Sequence, residues 1–98
     1  MALEIRWTRQ SIDDLSSIAD FISKDSPYFA QVQIERLFER VLILETYPKA
    51  GRAVPEVGQE NLRELIEGTY RVIYRIYSED RIDIIAVHHS SRLLGDIL

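Results

Sequence analysis

From Leu3 to Thr8 the side chains alternate, with Leu3, Ile5 and Trp7 set against Glu4, Arg6 and Thr8. A period of two predicts a strand with one buried face. The pattern then widens to helical spacing. Ile12, Leu15, Ile18, Ala19 and Ile22 recur through "RQSIDDLSSIADFISKD", with Thr8 placed to cap and Asp13 and Asp14 early, where a helix dipole favours acid. Ser26 suits an N-cap and Pro27 the first helical position, so a second helix starts there. Its stripe of Ala30, Ile34, Leu37, Phe38, Val41 and Leu44 carries it to about Thr46. The short turn between the two predicts an antiparallel hairpin. "YPKAGRAVPEVGQEN", punctuated by Pro48, Gly51, Pro55 and Gly58, reads as loop. Strands follow at Leu62 to Ile66, Tyr70 to Tyr77 and Ile82 to His89, with turns at Gly68 and "SED". The tail "SSRLLGDIL" reads as a short helical turn.

The order β, α, α, β, β, β predicts an α+β fold, with the helix hairpin packed on one face of a sheet whose last three strands form an antiparallel meander. The 98 residues are expected to form one domain, 1–98. An even-length turn after Tyr77 pairs Tyr77 with Ile82, Arg75 with Ile84, Ile73 with Ala86 and Arg71 with His88. One face then holds Tyr70, Val72, Tyr74, Ile76, Ile85, Val87 and His89, and the helices should cover it. Ile12, Leu15, Ile18, Leu37, Phe38 and Val41 are expected to supply the other half of that core. The opposite face holds Arg71, Ile73, Arg75, Ile84, Ala86 and His88. It reads as wet, with arginines at its rim. Whether those arginines merely solvate the face or bind a partner is open at this point.

Charge narrows the function. The net charge is -4, and a protein that grips nucleic acid through its phosphates usually has a positive excess. Direct nucleic-acid binding is therefore not expected. The absence of cysteine removes disulfides, thiolate catalysis and cysteine zinc sites. No apolar run has the length of a signal peptide or a bilayer span, so the expected location is the cytoplasm. His88 and His89 resemble a metal pair, but neighbouring strand residues project to opposite faces, so no metal and no cofactor is expected. His89 reads as a hydrogen-bonded core histidine. Ser90 and Ser91 lack an orienting acid, and Glu56, Glu60 and Glu64 read as solvated carboxylates of loop and strand edge.

The ordered set of Pro48, Gly51 and Arg52, then Arg63-Glu64-Leu65, Tyr70-Arg71 with Tyr74-Arg75, and Val87-His88 followed by Arg92 resembles the RelE/ParE toxin superfamily of bacterial toxin–antitoxin systems. The resemblance spans nearly the whole chain. It implies a toxin neutralised by a cognate antitoxin whose C-terminal segment folds along it, in a toxin–antitoxin oligomer. One branch cleaves messenger RNA in the ribosome; the other, ParE-like, is associated with inhibition of DNA gyrase and with plasmid stabilisation. In the nuclease branch, the resemblance implies an arginine at the end of the strand before the first Tyr-Arg pair and a tyrosine near the C-terminus. Here the first position is Ile66 and "RLLGDIL" has no tyrosine; Arg92 matches the arginine at the end of the last strand, but an isolated cation is an incomplete nuclease set. "RELIEGTYRVIYRI" is closer to the ParE-like pattern. The resemblance therefore implies a gyrase inhibitor with a ParD-like, ribbon-helix-helix antitoxin and no catalytic residues. Arg52, Arg71, Arg75, His88 and Arg92 are the candidates for contacting target or antitoxin. The alternatives are a ribosome-dependent endoribonuclease and a degenerate member that only binds antitoxin.

Overall fold

The computed structural model describes residues 3–91; Arg92 and the tail expected to form a helical turn lie outside them. The elements are β1 (Glu4–Trp7), α1 (Arg9–Ser23), α2 (Pro27–Leu42), a 3-10 turn (Ile43–Glu45), β2 (Arg52–Ala53), β3 (Leu62–Glu67), β4 (Tyr70–Ser78) and β5 (Arg81–His89). They form one sheet in the order β1-β5-β4-β3-β2, with β1 parallel to β5 at an edge and the other neighbours antiparallel. The α+β architecture is the one expected. Two boundaries differ. The second helix ends at Leu42 and tightens into the 3-10 turn, and Arg52–Ala53, expected to be loop, pairs with Arg63 and Glu64 as a short edge strand.

Local chemistry sets the helix starts. The Thr8 hydroxyl accepts from the Ser11 N–H at 3.2 Å and donates to the Ile84 carbonyl at 2.7 Å, capping α1 and tying it to β5 together. Ser26 caps α2 by accepting from the Phe29 N–H, with Pro27 in the first turn. The first turn of α1 holds no acid; Asp13 and Asp14 fall beyond it, and Asp14 does a different job. β1 ends at Trp7, opposite Ile84. Past that point Asp14 takes the place of a strand, its carboxylate accepting from the Val87 N–H at 2.9 Å.

Leu15, Leu37, Val41 and Leu44 pack against Leu65, Val72, Tyr74, Ile82, Ile84 and Val87. The expected register holds from Arg71–His88 to Ile73–Ala86. It then slips at a bulge, so that Tyr74 faces Ile84, Arg75 faces Asp83 and Ile76 faces Ile82. The extra residue turns Ile84 toward the helices and Ile85 to the opposite face, reversing both assignments. Ile12 is exposed, and so is Phe38 at 40%. Leu37, Val41 and Leu44 point inward, so Phe38 sits round the helix, where its ring meets Trp7 at 4.8 Å. His89 is exposed and bonds Ser91, not the core.

The second face is not wet. Ile73 and Ala86 are buried there with Val54 and Leu62. Val54 comes from the segment after β2, which folds over this face and closes it.

Candidate functional site

That overlying segment brings charge with it. Arg52 leaves β2 opposite Glu64 of β3, and its Nε donates to Glu64 Oε1 at 2.7 Å. Arg71 lies on β4 one pair along the same face, and its Nε donates to Glu64 Oε2 at 2.6 Å. The outer nitrogens of Arg71 reach Glu56 at 3.2 and 3.3 Å. Two arginines and two carboxylates thus alternate in one chain of charge-assisted bonds, from Arg52 through Glu64 and Arg71 to Glu56. Glu64 is 1% exposed and Arg71 7%, whereas Arg52 reaches into solvent. Burial works against the Arg71 charge, but the hydrogen bonds with Glu56 and Glu64 outweigh it and hold the guanidinium above its ordinary pKa.

Two expectations are corrected by this geometry. Arg71 does not stand on a solvated rim. Glu64 and Glu56 are not idle carboxylates; Glu64 anchors the cluster. The signal was available. A two-residue turn at Gly68 (φ 59°) and Thr69 aligns Ile66 with Arg71 and Glu64 with Ile73, which places Glu64 on the Arg71 face. The closing loop that brings Glu56 has no comparable periodicity.

A second set of contacts fixes the loop before β2. The buried Tyr74 hydroxyl donates to the Pro48 carbonyl at 2.8 Å and accepts from the Gly51 N–H at 3.0 Å. Arg63 donates to the Gly51 carbonyl at 2.7 Å. A side chain at Gly51 would meet the Glu64 carbonyl oxygen and the Tyr74 ring within 3 Å, so only glycine fits. Burial raises the Tyr74 pKa above its ordinary 10.0, with the Gly51 N–H pulling the other way. The Pro48, Gly51 and Arg52 pattern is therefore the clamp that seats this loop on the sheet.

The remaining candidates lie apart. Arg75 is exposed and makes no ion pair among the described residues. His88 is paired across the strands with Arg71, as expected, and its Nε2 is 3.4 Å from Asp14 Oδ2. Asp14 was not foreseen, although its place beside Ser11, Leu15 and Ile18 puts it on the inner side of α1. Arg92 lies outside the described residues. Arg52 and Arg71 are brought together at Glu64, whereas His88, cross-strand neighbour of Arg71, faces the carboxylate of Asp14 instead.

The model of the family "ParE toxin of type II toxin-antitoxin system, parDE" matches residues 5–94. Toxin RelE2 of Caulobacter vibrioides is 31% identical over 90 residues, which cover 92% of this chain and 98% of that protein. Among solved structures, the chromosomal ParDE toxin–antitoxin system from P. aeruginosa superposes with a TM-score of 0.73 at 22% identity, over 90% of this chain and 96% of that one. The toxin–antitoxin complex RelBE2 from Mycobacterium tuberculosis gives 0.59 at 24% identity, over 91% and 99%. A mutant of E. coli toxin RelE in the free state gives 0.67 at 14% identity, over both whole chains. At these identities the structures speak for the fold.

Proposed function

We propose a function from one premise: the chain belongs to the ParE toxin family of type II toxin–antitoxin systems. It is the toxin member, and the finer reading is that it inhibits DNA gyrase by binding it, without catalysis of its own. The observation that carries this reading is the neutralised cluster. Cleaving RNA through its own 2′-hydroxyl needs a base, an acid and cations for the charge of the phosphorane. Arg52 and Arg71 are already matched by Glu64 and Glu56, and Ile66 stands where the nuclease branch would place an arginine. A phosphate would have to displace carboxylates that hold the fold together, in a chain whose net charge is -4.

The partner that restrains such a toxin is an antitoxin, in keeping with the ParDE and RelBE2 assemblies. A ParD-like antitoxin would lay its acidic C-terminal segment along the chain, meeting Arg75 and the outer side of Arg52, the candidate cations of the sheet that stay accessible among the described residues, with Arg92 as a further contact.

A ribosome-dependent endoribonuclease is the second reading. The pairing of His88 with Asp14 favours it, because a carboxylate can orient an imidazole for proton transfer. The purified chain in a gyrase supercoiling assay, run beside cleavage of messenger RNA on translating ribosomes, separates the two. The proposal expects inhibited supercoiling and intact message; cut message with unaffected gyrase overturns it.

A further inference from the structure

An open trough of about 870 Å³ lies where the C-terminal end of β4 meets the residues on either side of the overlying loop. Its walls are the segment from Thr46 to Ala50 on one side and, on the other, the end of β4 from Ile76 to Ser78 with Glu79 of the following turn; Asn61 also lines it. Pro48 and Ile76 are half-buried, while Tyr47 and Tyr77 stand 62% and 63% exposed. We propose that this trough docks the toxin's target protein, by taking a large apolar side chain flanked by a lysine or arginine. The inference rests on the reading of the chain as a toxin that acts by binding.

Three observations support it. The first is the wall's rigidity. Tyr74 holds Pro48 and Gly51, Arg63 holds Gly51, and the Asn61 carbonyl accepts from the Ile76 N–H at 2.8 Å. A site already fixed in the free protein loses little freedom on binding. The second is the aromatic pair. Tyrosines give large contact area for few rotatable bonds and are enriched where interfaces concentrate their energy. Tyr77 is already braced, with the Arg81 guanidinium 4.1 Å from its ring centre.

The third is charge. Lys49 is offset by Glu60 at 3.3 Å, and Arg81 by Asp83 at 2.9 Å. Glu79 has no ion pair among the described residues, so the rim carries an unspent negative charge. That selects a cationic flank on the partner and disfavours RNA, whose phosphates find no free cation here. Arg75 and Arg52, the cations proposed above to meet the antitoxin, are not among the residues that line this trough.

The test uses Tyr47→Ser with Tyr77→Ser, and separately Glu79→Lys, each induced in a bacterial host and each purified. All three side chains are exposed, so melting temperatures should stay within a few degrees of the unaltered chain. Growth arrest should be lost in the double variant and weakened in Glu79→Lys. Affinity for purified gyrase should fall by about tenfold or more. Folded variants that arrest growth as the unaltered chain does overturn the proposal. So does a trough filled by a second copy, seen as variants that turn from dimer to monomer on sedimentation while growth arrest stays unchanged. An unaltered chain that arrests growth without binding gyrase refutes the gyrase reading, and the variants' growth phenotype still judges the trough. An unaltered chain that arrests nothing refutes both.

Discussion

The two faces of this sheet are closed by opposite means. Under the helices, Leu15, Leu37, Val41 and Leu44 meet Leu65, Val72, Ile82 and Ile84, and the Tyr74 hydroxyl within this cluster is bonded to the Pro48 carbonyl. Under the loop, a small apolar set of Val54, Leu62, Ile73 and Ala86 shares the face with Glu64 and Arg71, both buried as ions. The first face is stabilised by area removed from water. The second depends on each charge having its partner, because desolvated ions are tolerable only when matched. The difference explains why Arg71, which the sequence places among solvating or partner-binding arginines, is part of the scaffold.

The largest effect should come from breaking the charged face. Glu64→Ala leaves Arg71 and Arg52 facing each other without their shared carboxylate, and should cost about 3–5 kcal/mol in urea unfolding. Glu64→Leu combined with Arg71→Met should recover most of that loss, since apolar replacement of a buried pair is often neutral. A double variant as unstable as the single one would mean the face relies on more than charge matching.

On the helix face, Leu37→Ala should cost about 2–5 kcal/mol, as expected for a fully buried leucine. Phe38→Ala should cost about 1–2 kcal/mol, because the ring is 40% exposed and loses chiefly its contact with Trp7. Equal losses at the two positions would contradict the helix's assigned rotation.

The clamp between the faces gives a dependence on pH. The Tyr74 pKa is raised in the folded state, so the folded form holds this proton more tightly than the unfolded chain. Its contribution is fully present below the ordinary tyrosine value of 10.0 and is lost as pH rises above that toward the folded value. Thermal melts across the alkaline range should show this decline, and Tyr74→Phe should flatten it from a lower starting stability.

How far these features were legible follows from the same contrast. Caps, turns and stripes are local, so Thr8, Ser26, Pro27 and Gly68 gave away the helix starts and the β3–β4 turn. The bulge that turns Ile85 away from the helices depends on which of two neighbouring isoleucines the core accepts, and no local residue marks it. The closed second face was hidden for another reason. Its cover is an irregular loop, and the strand at Arg52–Ala53 is too short to show alternation. Glu64 could have been found by writing out the β3–β4 register. Glu56 could not, because its approach to Arg71 depends on how the loop folds.

The smallest effect is expected at His88. His88→Gln keeps a hydrogen-bonding side chain beside Asp14, and growth arrest should stay within about twofold of the unaltered chain, whereas removal of a catalytic base or acid would cost about a hundredfold or more in rate.

The stoichiometry of inhibition tests most directly whether this chain acts by occupying a target or by turning over a substrate. Purified gyrase titrated with the chain should lose supercoiling activity in a saturable way, reaching its plateau only once the chain is at least equimolar with gyrase. Unimpaired gyrase, with message on translating ribosomes cut by far less than one chain per ribosome, would contradict the account.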